Sequence, residues 1–326
     1  MNAKKLLLLS FVLLCCKMCE MSLKVERIIS DVQELGEGPH WDERQQALFF
    51  VNIKGFSINK YVPATKQHTK TKLNGNVGFI VPVEGTTDQF IVGLEKQFVI
   101  VQWDGGDGSP ATIVKELGAV DEGVEPPTRI NDGKADPRAR VFAGTIGYEN
   151  SPSDYVRNKA SLYRVDERGI QKLIGNISVS NGLNWDLRRK AFYYTDSFER
   201  KIRRYDYDIE TGEISNLKYI FDFEKENIQG FPDGSTIDAD GNLWIAVFNG
   251  SSVIKIDPVS GKVLDKVSIP APQVTSVTFG GDNLDVMFVT TACMDVDGIP
   301  GPPSGSVFMI TGVGVKGTKN MNFKLK

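Results

Sequence analysis

Four segments set an acid or an amide beside glycine at the head of an apolar run. They are Leu35-Gly36-Glu37-Gly38-Pro39-His40-Trp41, Arg129-Ile130-Asn131-Asp132-Gly133, Ser180-Asn181-Gly182-Leu183-Asn184-Trp185 and Phe231-Pro232-Asp233-Gly234. Each alone reads as a turn, because Asn-Gly and Asp-Gly are common turn dipeptides. Their recurrence at one phase of successive units points instead to a shared site. If Glu37, Asn181 and Asp233 converge, they supply three oxygen ligands carrying two negative charges. That set suits Ca²⁺, Mg²⁺ or Mn²⁺, with Zn²⁺ also compatible. Three protein ligands leave positions for water and substrate, the catalytic rather than the structural pattern. A divalent ion there polarises a carbonyl and lowers the pKa of water, so histidine is unnecessary. The chain has only two histidines, His40 and His68, which leaves little scope for a His₃ zinc site or a Ser-His-Asp triad.

The elements that must position these residues are short and β-rich. From residue 24 onward, runs such as Ala47–Ile53, Val141–Ile146, Ala191–Asp196 and Asn242–Phe248 alternate with Gly, Asp, Asn and Pro clusters, the strand-and-turn signature. Taking Tyr61, Trp103, Val165, Tyr207, Ile256 and Ile310 as equivalent positions gives intervals of 42, 62, 42, 49 and 54. A repeat of 40–50 residues built from four short strands marks a propeller blade. Six such units account for nearly all of the chain beyond its leader, so the expected fold is all-β, a six-bladed β-propeller with a metal site at the mouth of its central channel. A pair of β-sandwiches is the competing architecture, but it does not produce this period. The dipeptides Trp41-Asp42, Trp103-Asp104 and Trp185-Asp186 do not keep the repeat length and read as strand ends. Gly312-Val313-Gly314-Val315-Lys316-Gly317 has dinucleotide-binding spacing, but only nine residues follow it, too few for a helix and strand.

Composition narrows the function classes. Hydrophobic residues at 41% and charged residues at 24% are ordinary globular values, which excludes a largely disordered chain. Lys and Arg number 38 against 41 Asp and Glu, so no nucleic-acid or anionic-membrane surface is expected. No obligate protein partner is expected either. Residues 1–19 read as a cleaved signal peptide. Lys4 and Lys5 form a basic start, and the apolar run Leu6–Cys16 is too short for a hydrocarbon core of about 30 Å. Residues 20–326 then form a single propeller domain, secreted, with no membrane contact. A start at Met21 gives a cytoplasmic protein instead. The leader holds Cys15, Cys16 and Cys19, which leaves Cys293 alone, so the fold stands on its core or on a metal rather than on a disulfide. Asn176-Ile177-Ser178 and Asn249-Gly250-Ser251 are glycosylation sequons for an exported chain.

Together, Gly36-Glu37-Gly38-Pro39-His40-Trp41, Arg129-Ile130-Asn131-Asp132-Gly133-Lys134-Ala135-Asp136-Pro137, Ser180-Asn181-Gly182-Leu183-Asn184-Trp185, Pro232-Asp233-Gly234, Asn242-Leu243-Trp244-Ile245-Ala246 and Thr311-Gly312-Val313-Gly314-Val315-Lys316-Gly317 resemble the regucalcin (senescence marker protein)/gluconolactonase family, in order, from about residue 24 to 318. The first motif is similar to the insect branch, which includes luciferin-regenerating enzymes. The resemblance implies a six-bladed propeller, one divalent metal and hydrolysis of sugar lactones such as gluconolactone. Position by position, it implies Glu37, Asn181 and Asp233 as metal ligands and Asp233 as general base on the attacking water. Arg129, Asn131 and Glu149 match its substrate-binding positions.

Two other readings use the same residues. One is a calcium-binding regulatory protein without turnover. The other is an enzyme of the luciferin-regenerating type with a different substrate. One departure from the family stands out: Ala139 occupies a position where glycine is usual. A left-handed turn there would cost about 1 kcal/mol and is expected to shift the loop next to Arg129 and Asn131.

Overall fold

The computed structural model describes residues 22–151, 154–296 and 298–325. The expected leader, 1–19, with Cys15, Cys16 and Cys19, lies outside these residues. The described chain forms six four-stranded antiparallel sheets in a ring, a six-bladed β-propeller. The innermost strands of blades one to six are Gly36–Asp42, Val77–Pro82, Arg129–Ala135, Ser180–Asp186, Phe231–Ile237 and Val274–Gly280. Each packs against the inner strands of its two neighbours, which closes the ring. The six positions used to read the repeat all fall on, or within one residue of, the third strand of their blades.

Burial explains why the strands differ in composition. Second strands such as Ala47–Asn52, Val141–Ile146 and Ala191–Asp196 are buried along their whole length, because both faces pack against neighbouring blades. A strand buried on both faces needs near-continuous apolar residues. Outermost strands such as Thr112–Ala119 and Lys262–Ser268 are mostly exposed and correspondingly polar.

The sixth blade is closed by the start of the described chain. Lys24–Ile29 pairs antiparallel with Val307–Thr311 and completes the sheet begun by Val274–Gly280 and Val286–Thr291. This pairing ties the two ends of the propeller together and covers an otherwise open sheet edge. The C-terminal segment crosses the far face, where Phe323 N donates to Pro82 O at 2.9 Å and Lys324 N to Ala139 O at 2.9 Å. Residues 312–317 form no strand or helix, as their turn-rich sequence implies. Among the described residues the one helical element is the 3₁₀ turn Ser197–Glu199, and no helix is long and apolar enough to cross a membrane. Cys293 carries a free thiol.

Candidate functional site

The four glycine-containing segments are not turns ahead of strands. They are the opening residues of inner strands, and each contains a β-bulge. Register shifts fall between Glu37 and His40, Ile130 and Asp132, Asn181 and Leu183, and Pro232 and Ser235. A bulge adds one unpaired residue and re-aims the side chains beside it. The glycines serve close approach between blades. A Cβ on Gly234 would lie 2.0 Å from Ser276 Oγ, and one on Gly182 would lie 2.6 Å from Ser235 Oγ.

The bulges bring Glu37, Arg129, Asn131, Asn181 and Asp233 to one cavity of about 260 Å³ at one end of the central channel. Asn131 Oδ1 accepts from Arg129 Nη1 at 2.9 Å, while its Nδ2 donates to Ser180 O at 2.9 Å and to Asn181 Oδ1 at 3.2 Å. Asn181 Nδ2 in turn donates to Ser197 Oγ at 2.9 Å. These partners fix both amide orientations, with Nδ2 of Asn181 turned to Ser197 and its Oδ1 to Asn131.

Glu37 and Asp233 share a hydrogen bond and are 4% and 7% exposed. Burial pushes the Glu37 carboxyl up, and the Asp132 charge adds to this. Burial likewise raises Asp233 well above the usual carboxylate range, followed by the charges of Glu37 and Asp132. Asp132, 8% exposed in the channel beneath, is raised by burial too. Among the described residues none of these three carboxylates has an ion-pair partner within 4.0 Å. The charges of Arg129 and Lys134 offset burial only in part at Glu37 and Asp132, and a cation would relieve the remaining cost of burying these acids.

Two carboxylates and a fixed amide oxygen form a hard oxygen donor set, so the residues present fit a small divalent cation. No group of three or more His, Cys, Asp or Glu side chains converges as metal ligands among the described residues. The third donor is an amide, and open positions would fall to water and substrate.

Glu149 is not among the residues lining the cavity. It sits at the rim in a short hairpin, cross-strand from Tyr155, and forms an ion pair with Lys54. It reaches the site through Tyr155 and the positive charge of Arg129. Tyr155 itself lines the cavity; burial raises its phenol, and the Glu149 charge adds to that. Tyr155, Ser197 and Asp132 are site residues that the motifs did not single out. Asp132 alone carried a signal, as the neighbour of Asn131 in a bulge motif.

Ala139 adopts φ 63°, the left-handed conformation expected for it. It lies beyond the far end of strand Arg129–Ala135, roughly 20 Å from Arg129 at the usual rise per residue. Its strain therefore falls on the opposite face, and the expected effect on the loop beside Arg129 and Asn131 is corrected.

A family model described as "SMP-30/Gluconolactonase/LRE-like region" matches residues 35–293. Regucalcin of Xenopus laevis is 36% identical over 300 residues, covering 91% of this chain and 97% of that protein. A solved luciferin-regenerating enzyme is 40% identical with a TM-score of 0.87, covering 93% of this chain and 100% of that one. A calcium-binding protein, regucalcin from Agrobacterium tumefaciens, shares the fold at 22% identity and a TM-score of 0.80, covering 93% and 98%. With its propeller, its inner-strand motifs and these similarities, the chain belongs to the SMP-30/Gluconolactonase/LRE-like family.

Proposed function

We propose that the protein is a metal-dependent hydrolase that opens lactones, with gluconolactone as the reference substrate. The observation that carries this reading is the convergence of Glu37, Asn181 and Asp233 with Arg129 and Asn131 on one cavity. A metal-binding protein alone has no need of Arg129 and Asn131 there. Glu37, Asn181 and Asp233 would hold the cation, with Ca²⁺ the leading candidate and Zn²⁺, Mn²⁺ or Mg²⁺ compatible. When bound, the ion polarises the ester carbonyl and eases deprotonation of water. Arg129 and Asn131 orient the lactone by hydrogen bonds to its oxygens. Asp233 takes the proton of the attacking water on its carboxylate, and the ring C–O bond opens to give the hydroxy acid. Glu149 supports this arrangement through Tyr155 and Arg129.

A calcium-binding role without turnover is the second reading, and the similarity to proteins named regucalcin favours it. Chelator-stripped protein separates the two. Hydrolysis of glucono-δ-lactone that returns with an added divalent cation supports the enzyme. Saturable calcium binding without turnover of any lactone in a panel supports the binding protein.

We also propose export of the chain with 1–19 as its leader. Asn176 and Asn249 of the two sequons are exposed, as glycosylation requires. N-terminal sequencing of protein from culture medium tests this, and retention in the cell with Met21 first would overturn it.

A further inference from the structure

The cavity has two chemically distinct parts. Its buried polar side chains Glu37, Asn131, Asn181 and Asp233 stand on inner strands, whereas much of the remaining lining is apolar. Eight of its sixteen lining residues are Leu, Ile, Val, Met or Phe. Phe198, Phe231 and Phe248 are only half-buried, so they present ring surface to the opening. These side chains come from separate elements: the 3₁₀ turn Ser197–Glu199, the first residue of Phe231–Ile237 and the last of Leu243–Phe248.

The aromatic wall is also held in place. Phe198 meets Phe231 edge-on, with ring centroids 5.7 Å apart and planes at 89°. Tyr155 packs on Phe198 at 6.1 Å, and the Arg157 guanidinium stands 3.2 Å from the Phe198 ring centroid. Arg200 lies 5.8 Å from the Phe231 ring centroid. A cation over the ring and a perpendicular neighbour restrict rotation of Phe198, which makes a preorganised flat surface. A lactone with a hydroxyl on every ring carbon would turn several against this wall, where they give up water without finding a partner. An apolar or planar substituent would gain there what hydroxyls lose.

Resting on the lactonase reading above, we propose that the preferred substrates are lactones bearing an apolar, planar group, with Phe198 and Phe231 as specificity-determining residues. The ester group meets Arg129, Asn131 and Asp233, and the planar group lies along the phenylalanine wall. The reaction is a simple hydrolysis. Water supplies hydroxyl to the carbonyl carbon, the ring C–O bond breaks, and the leaving oxygen keeps a proton, so lactone and water give one hydroxy acid.

The test compares kcat/KM for dihydrocoumarin, a benzo-fused lactone, with that for glucono-δ-lactone, using calcium-loaded full-length protein. The wild type is expected to favour dihydrocoumarin, and Phe198→Ala to lower the dihydrocoumarin-to-gluconolactone ratio by about tenfold. Phe198→Leu, which keeps apolar volume, should recover part of that ratio and guards against a folding defect in the smaller variant. Preference for glucono-δ-lactone with a ratio unmoved by either variant overturns the inference and leaves the lactonase reading intact. Turnover of neither lactone by protein that binds calcium overturns both.

Discussion

Asn131 Nδ2 donates to Asn181 Oδ1 at 3.2 Å, so a side chain of the third blade orients one of the fourth. The same Asn131 accepts from Arg129, and Asn181 is anchored from behind by Ser197. The proposed substrate contact and the proposed cation donor are thereby coupled through one amide. Outer partners of this kind commonly tune metal affinity by about 10–100-fold. Asn131→Ala should weaken calcium binding by about that factor, read by calorimetric titration of stripped protein. Unchanged affinity would show that Asn181 does not depend on this contact.

The buried acids give a pH signature. Burial, reinforced by Asp132, pushes the Glu37 carboxyl from 4.5 up to about 8, and Asp233 moves the same way. A raised folded-state pKa means that the folded chain holds the proton more tightly than the unfolded one. That stability is fully present below about 4.5 and is lost as pH rises through about 8. His40 has the opposite sign, because burial lowers its imidazole from 6.5 to about 4, and its contribution is lost as pH falls through that window. Comparing melts with and without calcium cancels His40. The rise in Tm on adding calcium should grow from about pH 5 to about pH 8, because the cation takes ionised carboxylates. A rise that is the same at both ends would contradict this.

Ala139 offers a control far from the site. Its φ of 63° strains an L residue, and Ala139→Gly should stabilise the fold by about 1 kcal/mol, seen as a higher urea midpoint. Gluconolactone turnover should not change. Altered turnover would show that the far-face turn communicates with Arg129.

The strand Lys24–Ile29 closes the sixth blade, so the fold should tolerate removal of the residues before it but not of the strand itself. A chain beginning at Ser30 exposes the edge of Val307–Thr311. It should melt earlier and aggregate, measured by light scattering. A monomeric product with an unchanged melting point would contradict the closure.

Much of this architecture is legible in the residues. Tyr61, Val165, Tyr207, Ile256 and Ile310 mark third strands because each strand places an apolar or aromatic side chain at the same buried position of its blade. The convergence of Glu37, Arg129, Asn131, Asn181 and Asp233 follows from their shared phase at the head of inner strands. The bulges were not legible, since Asn181-Gly182 and Asp233-Gly234 have the composition of turns and only the neighbouring blade reveals why glycine is required. Tyr155 and Phe198 were hidden for a different reason. They sit on a short hairpin and a 3₁₀ turn in the connections between blade strands, whose place at the cavity depends on tertiary packing, not on any local period.

The most direct test of the site assignment separates binding from chemistry at Asp233. Proton release from glucono-δ-lactone would be followed with stripped wild type and Asp233→Ala, each titrated with calcium. The expected result is calcium-dependent turnover in the wild type and none in the variant, with both folded by circular dichroism and calcium affinity weakened in the variant. Full turnover in Asp233→Ala, or wild-type turnover indifferent to chelation, would contradict the assignment of Asp233 as cation ligand and base.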